Sequence, residues 1–139
     1  MSARLGTPNP QYILTPVAPT AAGAVLVLGP SALAICSIMA TWVASATINP
    51  RTVQIQIKDA AGNVILRLPA LTGITAGQTV LLLALTGATF ANFAGPPIVQ
   101  TLALPVDLPV PANSSITFVD TANIDGAGDR VSAAVATSA

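Results

Sequence analysis

The chain has 139 residues, a formal net charge of zero, and no histidine. Its length fits one domain with a hydrophobic core. Only 7% of the residues are charged, against about 25% in an ordinary soluble domain. Neutrality gives no electrostatic reason to bind nucleic acid or an anionic membrane surface. Because 53% of the residues are hydrophobic, much of the folded surface is expected to be covered by lipid or by other protein chains.

Residues 21–46 carry no charge, so their length alone would allow a membrane-spanning helix. Three features argue against such a helix: the turn pair Gly29-Pro30, interspersed serine and threonine, and single flanking charges instead of Lys or Arg clusters. The N-terminus also lacks an early apolar run, so no signal peptide is expected. We therefore expect other protein chains, and neither membrane nor nucleic acid, to cover the apolar surface.

Residues 1–20 contain prolines at positions 8, 10, 16 and 19. Because proline removes an amide donor and fixes φ, this segment is predicted to be an extended arm outside the folded domain. The arm either frays in solvent or lies across a neighbouring chain. In the second case Tyr12, Ile13 and Leu14 are the candidates for burial at the interface.

Two apolar segments follow the arm. Gly23–Leu28 is predicted to be a short strand. Ala32–Ile48 has apolar residues at helical spacing, namely Ile35, Met39 and Trp42. Its β-branched residues and cysteine are poor helix formers, so a strand is favoured over a helix.

Arg51–Leu68 has the clearest pattern in the chain, because Val53, Ile55 and Ile57 alternate with polar residues. This alternation predicts a strand with one face in the core and one in solvent. Asp59–Gly62 then suits a type I turn whose glycine takes the left-handed conformation and closes a hairpin. The predicted pairs, around a four-residue loop, are Lys58 with Asn63, Ile57 with Val64, Ile55 with Leu66 and Val53 with Leu68.

Further strands are predicted between Gly, Pro and Asn turns. The continuous apolar run in Gln78–Thr86 predicts burial on both faces, with the core on one side and a partner chain on the other. About eight short strands at this spacing favour an all-β fold over residues 21–139. A single-domain antiparallel jelly roll fits best, and an immunoglobulin-like sandwich second. The remaining predicted strands are Ile98–Leu104, Ser115–Asp120 and Arg130–Ala136.

Phe90 and Phe93 lie in a predicted loop rich in glycine and proline, Gly87–Pro97. They are expected to form a lid on the core, which we favour, or an exposed contact patch that binds another protein.

The sequence is short of residues that perform catalysis. Without histidine there is no Ser-His or Cys-His pair and no imidazole metal ligand. The glycines match neither a P-loop nor a dinucleotide-binding fingerprint. The single cysteine, Cys36, lies in an apolar run and is expected to be a small buried hydrophobe. We therefore expect a protein that is not an enzyme and needs no cofactor.

One cluster of oxygen-bearing side chains could bind calcium, because carboxylate and amide oxygens on a loop are the ligands Ca²⁺ prefers. The spacing matches no calcium loop, since an EF-hand needs oxygen ligands where Ala122 and Ile124 stand. A plain turn is the favoured interpretation, because Asp and Asn bond nearby backbone amides. The candidate ligands are Asp120, Asn123, Asp125 and Asp129.

The C-terminal part supplies a family resemblance. Residues 108–131 read LPVPANSSITFVDTANIDGAGDRV. Together with the neutral, Ala-, Val- and Thr-rich composition, this resembles small structural proteins of tailed bacteriophages. It is most similar to the capsid cement, or decoration, proteins with a jelly-roll fold. The resemblance covers roughly residues 50–136 and includes no diagnostic motif, so no functional residue is carried over.

The resemblance implies a virion protein on the outer surface of a capsid shell, made in the bacterial host cytoplasm. Its partners would be the major capsid protein and further copies of itself, as a homodimer or homotrimer. Its role would be to cement neighbouring capsid subunits against internal DNA pressure. The alternatives are another virion part, such as a neck, collar or tail protein, or a small membrane or glycan-binding module.

Overall fold

The computed structural model of the chain describes residues 11–17, 24–45, 52–69, 75–93, 97–105, 108–120 and 129–138. Within these ranges the regular structure is all β, as predicted, but there are eleven strands where the sequence predicts about eight. The strands are β1 (Gln11–Val17), β2 (Ala24–Val27), β3 (Leu33–Val43), β4 (Val53–Lys58), β5 (Val64–Pro69), β6 (Thr79–Thr86), β7 (Ala91–Phe93), β8 (Ile98–Leu104), β9 (Leu108–Val110), β10 (Ser115–Asp120) and β11 (Arg130–Ser138).

The strands form two sheets. The larger sheet has the order β1-β11-β3-β6-β8-β7, with β9 paired to the start of β3, and the smaller has the order β2-β10-β4-β5. The pairing is nested, because β1 pairs with β11, β2 with β10, β3 with β6 and β4 with β5, all antiparallel. Successive nested pairs enter alternate sheets. This arrangement is a jelly roll, so the predicted fold is confirmed.

The larger sheet departs from the predicted antiparallel arrangement at β6 and β8, which pair in parallel, beginning with Val80 beside Ile98. After β6 the chain turns at Gly87, whose φ is +77°. It then forms β7, which pairs antiparallel with β8. Strand β8 therefore lies between β6 and β7, and these two strands, β8 and β7, extend the sheet beyond β6.

The core lies between the two sheets and follows from alternation along each strand. On β4, Val53, Ile55 and Ile57 are fully buried, while the residues between them are half-buried. Burying one such aliphatic side chain contributes roughly 1.5–3 kcal/mol. The largest buried apolar side chains come from both sheets: Trp42, Phe118, Ile35, Ile38, Ile55, Ile57, Leu82, Leu102 and Ile116.

Strand β3 confirms the choice of a strand over a helix for the segment that follows Pro30. Ile38, Ala40 and Trp42 are buried, whereas Met39 between them is exposed. This burial has a period of two, which a helix does not produce. No helix long and apolar enough to cross a membrane occurs in the part of the chain that the structure describes.

Strand β1 corrects the prediction of an arm over residues 1–20. Its residues 11–17 pair with β11 at the edge of the larger sheet, so this part of the predicted arm belongs to the sandwich. The register shifts between Leu14 and Val17, around Pro16. An edge strand tolerates proline because one row of its amides needs no partner in the sheet. Residues 1–10 and 18–20 lie outside the described residues.

The β4–β5 hairpin has the predicted turn. The Gly62 amide donates to the Asp59 carbonyl at 3.0 Å, and Gly62 has a φ of +88°. The Asp59 amide also donates to the Asn63 carbonyl at 2.9 Å. These two bonds define a type I turn followed by a glycine in the left-handed region, which forms a bulge.

The predicted register of this hairpin is wrong. The loop has three residues, one fewer than predicted, because Asp59 pairs with Asn63. Ile65 is an extra residue on β5, so pairing beyond it is displaced by two residues from the prediction. A displacement by two keeps Leu66 and Leu68 on their predicted core face, which is why the alternation does not reveal it, whereas Val64 pairs with Lys58 instead of Ile57. The observed pairs are Lys58 with Val64, Ile57 with Leu66, Gln56 with Arg67, Ile55 with Leu68 and Gln54 with Pro69.

Truncation of Ile55 tests the core assignment. Ile55 is 0% exposed, so Ile55→Ala should lower the free energy of unfolding by about 2–5 kcal/mol, measured by urea denaturation. Gln54→Ala, at the adjacent half-buried position on the other face, is the control; it removes one side-chain hydrogen bond to Gln56 and should change the free energy of unfolding by no more than about 1.5 kcal/mol. Equal losses in the two variants would contradict the assignment of faces.

The hairpin turn also predicts a pH dependence. The pKa of Asp59 is lowered, chiefly because its carboxylate accepts the Asn63 amide at 2.8 Å and also the Ala61 amide at 3.0 Å. A carboxyl with a lower pKa in the folded state stabilises above its unfolded pKa, and that stability is lost as pH falls through its folded pKa. As the pH is lowered below the ordinary pKa of 3.8, the melting temperature of Asp59→Asn should fall less steeply than that of the wild-type protein. Identical slopes in acid thermal melts would contradict this.

Candidate protein interface

The outer face of the smaller sheet is polar along β4. Gln54 and Gln56 lie on it, and the Gln56 Nε2 donates to the Gln54 Oε1 at 2.6 Å. Arg67 pairs with Gln56, and Lys58 pairs with Ser115. Because directly paired residues share a face, both cations lie on this outer face. Val25 and Val27 of β2 lie on the same face, because they pair with Thr117 and Ser115. The face is therefore polar and charged along β4 and apolar at its β2 edge.

The outer face of the larger sheet is apolar. On β3, Met39 is 52% exposed and Val43 is 40% exposed. Strand β6 adds three half-buried leucines, which confirms that its outer side is apolar as well as its core side. Among the described residues, the one charged residue on this face is Arg130, at the end of β11 beside Val43. The leucines are Leu81, Leu83 and Leu85.

Cross-strand pairing arranges this face in rows that run across β6, β3 and β11. In each row β6 supplies a leucine, β3 a side chain of varied size, and β11 an alanine or serine. The face therefore has a ridge of leucines along β6 and a trough of small side chains along β11, on either side of β3. The rows are Leu81, Thr41 and Ser132; Leu83, Met39 and Ala134; and Leu85, Ser37 and Ala136.

Two predicted interface residues lie at opposite edges of this face. Ile13 on β1 pairs with Ala134 and is 58% exposed. Phe93 on β7 pairs with Val99 and is 55% exposed. Phe90, just before β7, is 54% exposed. These exposures contradict a lid on the core and agree with the alternative of an exposed contact patch; an interface role for these residues stays a prediction.

The other two candidates in β1 differ from Ile13. Tyr12 is half-buried and packs against the core. Its ring lies over Gly29, where an added Cβ would come within 2.5 Å of the Tyr12 hydroxyl oxygen. The side chain of Leu14 lies outside the described residues. Tyr12 is therefore mainly part of the folded domain, and Ile13 is the accessible apolar residue of β1.

The smaller sheet has further exposed apolar residues that the sequence does not identify, among them Ile65 on β5, which is 40% exposed. Val25 and Val27 on β2, at the edge of the smaller sheet, are 47% and 62% exposed. The usable signal was the unbroken apolar run in β2, the same feature that predicted an apolar outer side for β6. A strand of four residues offers too few positions to separate two faces by pattern.

The predicted calcium cluster is described at only one side chain. Asp129 is fully buried, and its Oδ1 accepts a hydrogen bond from the Ser45 amide at 2.8 Å. This bond joins the start of β11 to the chain just after β3. Asn123 and Asp125 lie outside the described residues, as does the side chain of Asp120. Across the described ranges, no three His, Cys, Asp or Glu side chains form a group that could hold a metal ion.

The sequence matches no protein-family profile and no curated protein. Among solved structures, its fold is similar to chains from infectious bursal disease virus. These include the viral particle at 11% identity and a TM-score of 0.33, the Gx strain at 15% and 0.32, and T=1 particles derived from a VP2 mutant at 14% and 0.33. The matches cover 95, 93 and 94% of this chain but only 29% of each viral chain. At these TM-scores the likeness carries no argument about function or partners.

Substitution of Asp129 separates a structural role from a metal site. Asp129→Ala leaves the Ser45 amide without this acceptor and should lower the free energy of unfolding by about 1–3 kcal/mol. Asp129→Asn keeps an oxygen in that place and should lose less. Thermal melts with added CaCl₂ and with EGTA should coincide. A calcium-dependent rise in melting temperature that both variants abolish would establish the calcium site instead.

Proposed function

We propose that this chain is a structural virion protein whose function is to bind other protein chains in a shell. The supporting observation is the outer face of the larger sheet, which is apolar, spans the sheet, and has Arg130 as its one charged residue among those described. Large exposed apolar patches are uncommon on monomeric proteins and mark protein or membrane contacts. The outer face of the smaller sheet differs in carrying Lys58 and Arg67.

The more specific proposal is a cement protein on the exterior of a tailed-phage capsid. It is supported by the resemblance of residues 108–131 to such proteins and by the jelly-roll topology, an architecture shared by viral capsid and lectin domains. Exposed Phe90 and Phe93 offer apolar anchors for the major capsid protein. Weak contacts of this kind, repeated around a shell, add up through multivalency. The protein would be made in the host cytoplasm and reside in the virion.

We also propose that the chain is not an enzyme and uses no cofactor. The support is chemical: the whole sequence lacks histidine, and its nucleophilic and acidic residues form no recognisable catalytic pattern. A function carried by surface contact needs none of these groups.

Electron microscopy of native particles tests the virion role. Particles are purified on a density gradient from cells that encode the chain, and the protein is located with a gold-labelled antibody. We expect label spread over the shell exterior, and particles that lack the chain should release DNA at a lower temperature. Label confined to the neck or tail would replace the cement role by another virion role. Absence of the chain from particles would contradict both.

A matched pair of variants tests the proposed anchors. Phe93→Ser should reduce the copy number per particle, because it removes an exposed aromatic side chain that can enter a pocket on the partner. Thr89→Ser, at a nearby exposed position, should leave the copy number unchanged. Quantitative mass spectrometry of purified particles measures both. Full occupancy of the Phe93→Ser protein would contradict the role of this residue.

A further inference from the structure

The ridge and the trough on the larger sheet are complementary to each other. Leu81, Leu83 and Leu85 form the ridge on β6, and the trough of serine and alanine lies along β11. The two features lie one strand away from β3 on opposite sides, at about 4.8 Å each. Each leucine of the ridge lies in the same cross-strand row as one small residue of the trough.

This arrangement is what a two-fold symmetric contact requires. Consider a two-fold axis that lies in the plane of the interface, close to the direction of β3. It places the β6 side of one copy opposite the β11 side of the other and keeps each cross-strand row opposite the same row of the second copy. It sets the ridge of each copy against the trough of the other, and Met39 against Met39 of the second copy. Packed sheets normally cross at about 30°, which places the axis within about 15° of β3. The contact is isologous and therefore closed.

Charge favours the same occupant. The three rows that contain the ridge and the trough carry no charge, so pairing these rows of two copies buries no ion without a partner. Arg130 lies at the end of β11, and its Nη1 donates to the Asp129 carbonyl at 2.7 Å. The overlap of β1, β11, β3, β6 and β8 is roughly 24 by 23 Å at ordinary strand spacings. That is about 1,100 Å² for two copies, above the roughly 1,000 Å² that a specific interface needs.

We propose that the outer face of the larger sheet binds a second copy of this chain, forming a two-fold symmetric dimer with its sheets packed face to face. The sheet is not symmetric about β3, because two strands lie on the β11 side and three on the β6 side. Strand β7 therefore projects beyond the edge strand β1 of the partner, and Phe90 and Phe93 remain uncovered at each end. The dimer inference stands apart from the virion proposal, because it concerns the purified chain alone.

Sedimentation and concentration-dependent melting test the dimer. The wild-type protein should have twice its chain mass of 13.9 kDa, and its melting temperature should rise with protein concentration. Leu83→Arg places an unpaired charge in the contact, and Ala134→Trp fills the trough. Each should weaken dimerisation by about 100-fold or more while the monomer still melts cooperatively. Gln56→Arg, on the outer face of the smaller sheet, is the control and should leave the dimer intact.

Cross-linking tests the position of the axis without a disruptive change. Met39→Cys in a Cys36→Ser background should be joined by a short bis-maleimide, because sheets about 10 Å apart exceed the roughly 7 Å reach of a disulfide. Gln56→Cys should not be joined. A wild-type monomer at high concentration would overturn the proposal and assign the face to a different chain or to another segment of this one. A trimer, or a dimer that Leu83→Arg leaves intact, would overturn it as well.

Discussion

The larger sheet is organised around β3, which has an apolar core face and an outer face without charge. On one face Ile38, Ala40 and Trp42 are buried in the core; on the other, Met39 and Val43 are exposed. Its backbone is paired along most of its length with β11 and β6, and at its start with β9. A central strand of this kind organises the larger sheet through hydrogen bonds that are independent of side-chain character, so its outward side chains remain available for a second contact.

Core stability comes from buried area and shape more than from polar interactions. Trp42 is 1% exposed, and among the described residues its Nε1 is the buried side-chain atom without a hydrogen-bond partner. An unsatisfied buried donor of this kind costs about 1–3 kcal/mol. Full burial of the indole ring offsets that cost, since aromatic side chains bury large areas. Asp129 shows the opposite case, because its carboxylate is buried with the Ser45 amide as a partner.

Much of the fold follows from the sequence where one face is polar. Strand β4 was assigned correctly because its glutamines alternate with Val53, Ile55 and Ile57, and the turn was found because Gly62 can adopt a positive φ. The hairpin register does not follow from the pattern, since the shorter loop and the extra residue Ile65 together displace the pairing by two and preserve the faces beyond the bulge. Strand β1 was misassigned because the rule against proline applies to central strands, whereas β1 lies at an edge. The three residues of β7 carry too short a pattern to predict a strand.

The candidate surface was only partly predictable, for a physical reason. Continuous leucines in β6 predict one apolar outer side from the sequence alone. The small residues Ser132, Ala134 and Ala136 are compatible with either face of a strand. The trough that they form can therefore be recognised only from the pairing of β11 with β3. The placement of the charged residues explains why the chain has so few of them. Charge keeps isolated proteins apart, and this chain concentrates the cations of its described strands on the smaller sheet and at one end of the larger sheet. The rest of the outer face of the larger sheet can lose its water without desolvating a charge. A tightly packed contact between chains requires this condition.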